Sequence, residues 1–284
     1  MYWRGGRQSS NVEDRRGVHP AVVGGGLGGI LLLLLALYFG FDPSEVINPG
    51  GTVTANGPTA TSPADEETKQ FVSTVLAYTE DTWSDLFRRA GKTYREPKLV
   101  LFTGSIDSTC GFAQAAMGPF YCPLDQKVYL DMSFFQDLRD RFQAPGDFAQ
   151  AYVIAHEIGH HVQNLLGISE QVQAYQQSHG PAAANKASVK LELQADCLAG
   201  VWANHTEEME QSRAKEFLEN GDVDEALRAA SMIGDDRLQM QSRGYVVPES
   251  FTHGTAAQRS YWFRQGFQNG TVSACNTFRA DNTN

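Results

Sequence analysis

Clustered basic side chains are what this 284-residue sequence most lacks. Its 23 Lys and Arg stand against 33 Asp and Glu, a formal net charge of -10. No stretch gathers enough Lys and Arg to neutralise a run of phosphates, which argues against a nucleic-acid partner. Cysteine is also scarce. The four residues Cys110, Cys122, Cys197 and Cys275 include no CxxC pair, so thiolate zinc sites are not expected. Their even number suits two disulfides in an exported domain, with Cys110 and Cys122 closing a short loop as the first expectation; four reduced, buried thiols are the alternative. No internal repeat suggests a solenoid, and the length fits one folded domain with an appendage.

Long apolar runs are absent with one exception. Residues 21–41, AVVGGGLGGILLLLLALYFGF, carry no charge and are long enough as a helix to cross about 30 Å of hydrocarbon. The run exceeds a signal-peptide core, and no small-x-small site follows it before Asp42 and Pro43, so an uncleaved anchor is expected. Arg4, Arg7, Arg15 and Arg16 precede it, and the first basic residue after it is Lys69. That asymmetry predicts a cytoplasmic segment 1–20, a single membrane span 21–41 and an extracytoplasmic remainder. Residues 42–66, rich in Gly, Pro, Thr and Ser, read as a flexible linker. The folded domain is expected over 67–284.

Within it, Phe71, Val75, Tyr78, Trp83, Leu86 and Phe87 recur at roughly helical spacing up to Gly91. Lys98–Phe102 (KLVLF) and Lys127–Asp131 (KVYLD) are short β-branched and aromatic runs with strand character. Helical patterns dominate from Ser133 onwards. The class is α+β, mainly helical with a small early sheet.

The segment AYVIAHEIGHHVQNLLG, residues 151–167, reads as one helix, with Asp147 and Gln150 as a capping box and Gly167 as its stop. His156 and His160, four residues apart, project from one face and can converge on one ion. Glu157 lies about 100° round the helix, within reach of a metal-bound water. A catalytic zinc needs a third protein ligand and an open position. In VKLELQADCLAGVWANH, Glu192 and Asp196 lie four apart on a second helical pattern, so Glu192 can ligate while Asp196 accepts the outer N–H of a histidine, His156 first.

HExxH on one helix and ExxxD on another resemble the gluzincin pattern. More closely, CGFAQAAMGPFYCPLDQKVYLD, HEIGHHVQ, LELQADCLAG and FTHGTAAQR resemble the neutral zinc metallopeptidases of bacteria, over nearly the whole chain. The resemblance implies a zincin-like domain behind a bacterial membrane anchor, one Zn2+ per chain held by His156, His160 and Glu192, and a peptide or protein substrate. It also implies that the strand just before the metal helix, Lys127–Asp131, is the cleft edge along which substrate pairs.

The remaining polar residues divide between site and scaffold. His161 points away from the metal face and reads as packed or surface. Gly159, costing about 1 kcal/mol relative to Ala, implies a closely packed neighbour. His253 is either an oxyanion donor or metal visitor, or a turn residue before the helix beginning near Thr255. Arg259 reads as a helix-surface charge before a brace, and the aromatics of 261–267 read as packing. A different class of function, a zinc-stabilised binding or chaperone-like module, is compatible with the same ligands. Glu157 speaks against it, because a closed structural site needs no base.

Overall fold

The computed structural model describes residues 1–16, 62–114 and 118–279. The expected membrane span at 21–41 and the expected linker as far as residue 61 lie outside these. The chain begins with β1 (Val12–Asp14) and α1 (Pro63–Arg89), followed by β2 (Lys98–Phe102), β3 (Ser105–Ser108), β4 (Gly111–Gln114), β5 (Phe120–Cys122) and β6 (Lys127–Asp131). Helices follow: α2 (Ser133–Asp140), α3 (Asp147–Leu165), α4 (Ile168–Ser178), α5 (Pro181–Ser212), α6 (Asp222–Met232), α7 (Asp235–Arg243) and α8 (Ala256–Asn269). Short 3-10 turns occupy Pro248–Ser250 and Val272–Cys275. The fold is α+β and mainly helical, as the periodicities predict.

α1 starts at a sharp sequence signal. The Ser62 hydroxyl accepts from the Asp65 N–H, the Asp65 carboxylate accepts from the Ser62 N–H, and Pro63 occupies the first turn. Its buried stripe includes Val72, Val75, Leu76 and Trp83. β2 and β6 fall on the two predicted runs and pair in parallel, Lys98 opposite Lys127. The four-stranded sheet has the order β1-β2-β6-β5. β6 is therefore not an edge: its backbone pairs with β2 on one side and with β5 on the other. The free edge on that side is β5, missed in the sequence because three residues are too few to show a period. A disulfide joins Cys122 on β5 to Cys110 beside the β3–β4 hairpin, as expected.

Residues 1–16 belong to the same folded body. β1 adds in parallel to β2, with Val12 opposite Leu99, and Trp3 packs edge-on against Phe71 at 5.4 Å. The buried carboxylate of Glu80 on α1 takes its hydrogen bonds from this segment: Arg7 Nη2 at 3.0 Å, Asn11 Nδ2 at 2.9 Å, and the Ser9 hydroxyl. The Met1 ammonium lies 2.7 Å from both Asp147 and Glu219 and 3.2 Å from Asp222. Burial opposes its charge, but the bonds to Asp147 and Glu219 outweigh this and raise its pKa to about 10. Asp147 thus opens α3 as a partner of Met1, and no side-chain cap forms there.

These contacts overturn the expected membrane topology. Arg16 donates to the Asp65 carbonyl at 3.1 Å and pairs with Glu66 at 3.2 Å, so both borders of residues 17–61 meet at the start of α1. A single crossing between them would place residues 1–16 on the opposite side of a bilayer from α1 and β2, which their bonds to Glu80 and the β1–β2 pairing forbid. Among the described residues, no helix is long and apolar enough to cross a membrane. The single-pass arrangement with a cytoplasmic amino terminus and an extracytoplasmic domain is corrected accordingly.

The helical layer is held by close approach. Gly159 on α3 lies against Ala195 on α5, where an added Cβ would meet the Ala195 carbonyl at 3.0 Å. α5 and α8 touch still more closely: a Cβ on Gly266 would fall 1.8 Å from the Cys197 carbonyl. A second disulfide, Cys197–Cys275, ties α5 to the turn after α8. Together these fix α3, α5 and α8 around one polar pocket.

Candidate metal centre

α3 and α5 bring their polar residues together on facing sides. His156 Nε2 lies 3.1 Å from Glu192 Oε2, and His160 Nε2 lies 3.4 Å from Glu192 Oε1. One ligand atom from each of these three residues falls within 4.8 Å of the others. Two imidazole nitrogens and a carboxylate are the donor set of an open, three-ligand site. The outer ring nitrogens are already engaged, so the inner nitrogens are presented to the centre. His156 Nδ1–H donates to Asp196 Oδ1 at 2.8 Å, and His160 Nδ1–H donates to Gln163 Oε1 at 2.9 Å.

Each support is itself anchored. Asp196 is fully buried and receives Arg259 Nε on Oδ2 at 2.8 Å, Arg259 Nη2 on Oδ1 at 2.9 Å, and the Tyr152 hydroxyl on Oδ1. Burial pushes the Asp196 pKa up, but Arg259 and then His156 outweigh it and hold it at about 2. Gln163 donates to the Leu191 carbonyl at 2.7 Å and to Gln194 Oε1 at 3.1 Å, and Gln194 donates to the Cys275 carbonyl at 2.9 Å. The disulfide at Cys275 thereby closes a chain of contacts leading to His160.

The electrostatics also suit a cation. Burial would lower the pKa of His156, yet Asp196 and Glu192 raise it to about 10. Burial disfavours the charge on Glu192, but the two histidines draw its pKa well below the usual range. Three groups competing for positive charge in a buried place fit a divalent ion better than they fit one another. Glu157 is buried beside His156 and, among the described residues, makes no hydrogen bond. Its oxygens are uncommitted.

His161 turns away. Its Nε2–H donates to the Arg95 carbonyl at 2.6 Å and its Nδ1 lies 2.9 Å from the Tyr121 hydroxyl, and burial lowers its pKa to about 4. His253 stands on the loop before α8. Its Nδ1 faces Asp235 Oδ1 at 3.3 Å, and its ring is half exposed. The hydrogen bond to Asp235 raises the His253 pKa above its ordinary value. In the second acidic group, Asp147, Asp222 and Glu225, the first two hold the Met1 ammonium and Glu225 accepts from the Phe148 N–H.

Sequence reasoning missed Arg259, which is 2% exposed rather than a surface charge. A signal was present: Arg259 lies in phase with Ala256, Trp262, Phe263 and Gly266, the buried stripe of α8. Tyr152, one turn before His156, carried the same signal.

Comparison with known proteins agrees with this geometry. A family model described as "Putative neutral zinc metallopeptidase" matches residues 1–278. "Uncharacterized protein YpfJ" of Escherichia coli (strain K12) is 48% identical over 289 residues, covering 98% of this chain and 99% of that protein. "Uncharacterized protein Rv2575" of Mycobacterium tuberculosis is 45% identical over 192 residues, 66% of this chain and 64% of that protein. No solved structure matches. The family match takes in the amino-terminal segment, the metal helix and the Arg259 helix alike, and the chain belongs to this family of neutral zinc metallopeptidases.

Proposed function

We propose that the protein is a zinc-dependent endopeptidase, with one Zn2+ held by His156, His160 and Glu192 and with Glu157 as general base. The observation that carries this reading is the buried, uncommitted carboxylate of Glu157 beside three convergent ligands. A structural zinc site has no use for such a group. When bound, zinc lowers the pKa of a water and polarises the scissile carbonyl.

The chain's own residues do the rest. Glu157 takes a proton from the attacking water and returns it to the leaving amine. Asp196 and Gln163 hold the two imidazoles with their inner nitrogens bare. Arg259 keeps Asp196 ionised and in place. His253 donates Nδ1–H to Asp235, and that bond favours its protonated form, in which Nε2–H is also a donor, for the oxyanion. The substrate backbone adds to β5, the free edge of the sheet, whose Tyr121 reaches α3 through His161 and Asn164.

The test compares wild type with Glu157→Gln for bound zinc and for cleavage of an unfolded, casein-like substrate. Both should bind zinc, and the variant should lose activity by roughly 10²–10⁴-fold. Zinc bound by both with no cleavage of any substrate would sink the peptidase and favour a zinc-stabilised binding module.

A further inference from the structure

A groove of about 1450 Å³ runs along the outer side of α5, between α4 and the turns Pro248–Ser250 and Val272–Cys275. The chain carries a net charge of -10, yet the groove is cationic. Lys186, Lys190 and Arg279 line it against one carboxylate, Glu249. Some cations of this protein are held by carboxylates, as Arg4 is by Glu67 and Arg213 by Glu210. The groove's three make no ion pair among the described residues. Between them lie apolar surfaces, including Tyr175, which is 44% exposed, and Phe251.

One end of the groove adjoins the loop that carries His253. Thr255 and Val189 line it, and Gly254, next to His253, sits so close to α5 that a Cβ would meet Val189 and Leu193 at 3.2 Å. Val189 is one turn before Glu192 and Leu193 directly follows it. The loop that carries His253 therefore packs on the turn of α5 that bears Glu192, at the end of the groove.

We propose that this groove binds an extended stretch of the substrate polypeptide in which acidic side chains alternate with apolar ones, the chain leaving the metal centre past His253. Successive side chains of an extended peptide point to opposite sides, so carboxylates can meet Lys186, Lys190 and Arg279 while apolar groups settle on Tyr175 and Phe251. Unpaired cations in an acidic protein select for such a partner and speed its approach. Calling the occupant a substrate rests on the peptidase reading; the binding does not.

The experiment uses the full chain carrying Glu157→Gln and loaded with zinc, and a fluorescein-labelled peptide of about 12 residues alternating Glu with Leu or Phe. Anisotropy should show binding at least about tenfold tighter than for the same peptide with Lys in place of Glu, weakening as salt rises from about 0.05 to 0.3 M. Lys186→Glu with Lys190→Glu should weaken it by about tenfold, and Lys186→Arg with Lys190→Arg should restore it, with thermal melts showing that each variant folds. Equal affinity for the two peptides, or indifference to the charge reversal in a folded variant, overturns the proposal. So does binding seen only after residues 280–284 are deleted, which would assign the groove to the chain's own end. Binding as described, without cleavage of that peptide by wild type, would leave the groove assigned and show that its occupant is not a substrate.

Discussion

Arg259 grips Asp196 with two nitrogens, Nε on one carboxylate oxygen at 2.8 Å and Nη2 on the other at 2.9 Å. Both residues are buried. Asp196 in turn orients His156, so a residue on the last helix sets the geometry of a candidate ligand on α3. Arg259→Leu leaves an uncompensated buried carboxylate and should cost about 3–5 kcal/mol in a urea unfolding titration. Asp196→Asn keeps the shape and should weaken zinc by about 10–100-fold in a chelator competition. Unchanged zinc affinity in a folded Asp196→Asn protein would refute its part in ligand positioning.

The other candidate ligand, His160, has a neutral support. Gln163→Leu removes the acceptor for His160 Nδ1–H and leaves Gln194 Oε1 and the Leu191 backbone carbonyl without their donor. Zinc affinity should fall by about 10-fold or more, and stability by about 1–3 kcal/mol. Gln163→Glu keeps the acceptor and loses the donors, so it should recover zinc binding more than stability. Equal recovery of both would mean that the donors do not matter.

α3, α5 and the convergence of His156, His160 and Glu192 were legible because the signals are local: a spacing of four places two side chains on one helical face whatever the tertiary fold. β2 and β6 were legible for the same reason, as runs with strand composition. What decides the sheet edge is not local. β6 carries the strongest strand pattern and is central, whereas three-residue β5 has almost none and is the edge. Arg259 was misjudged because charge outweighed phase; a cation in register with buried Trp262 and Phe263 has a buried anion waiting for it. The amino terminus was misjudged because its arginines match both a positive-inside flank and the partners of Glu80, Asp14 and Glu66, and only long-range contacts separate the two.

Gly266 tests how tightly α8 must lie on α5. A methyl group there would fall 1.8 Å from the Cys197 carbonyl, so Gly266→Ala has to push the helices apart at a cost of about 3 kcal/mol. Because Arg259 rides on α8, zinc affinity should drop together with stability. A variant with lowered melting temperature and intact zinc affinity would show that the Arg259–Asp196 pair tolerates the shift.

The first strand should be the acid-sensitive element. Burial raises the Glu13 pKa, but hydrogen bonds from Lys127, Lys98 and Arg15 outweigh this and lower it from 4.5 to about 2. Arg16, with Lys69, holds Asp14 well below the usual carboxylate range. A carboxylate with a depressed folded pKa contributes stability that is present above its unfolded value and is lost as pH falls through its folded one. Between pH 4.5 and about 2, Glu13 takes up a proton, releases Lys98 and Lys127, and frees β1 from β2. Hydrogen exchange at pH 5 and pH 3 should therefore show β1 amides losing protection before those of β2 and β6. Glu13→Gln should start from lower protection at pH 5 and flatten the change, since the charge that titrates is gone. Equal loss of protection across all three strands would mean that acid acts on the sheet as a whole and that the Glu13 cluster does not hold the first strand.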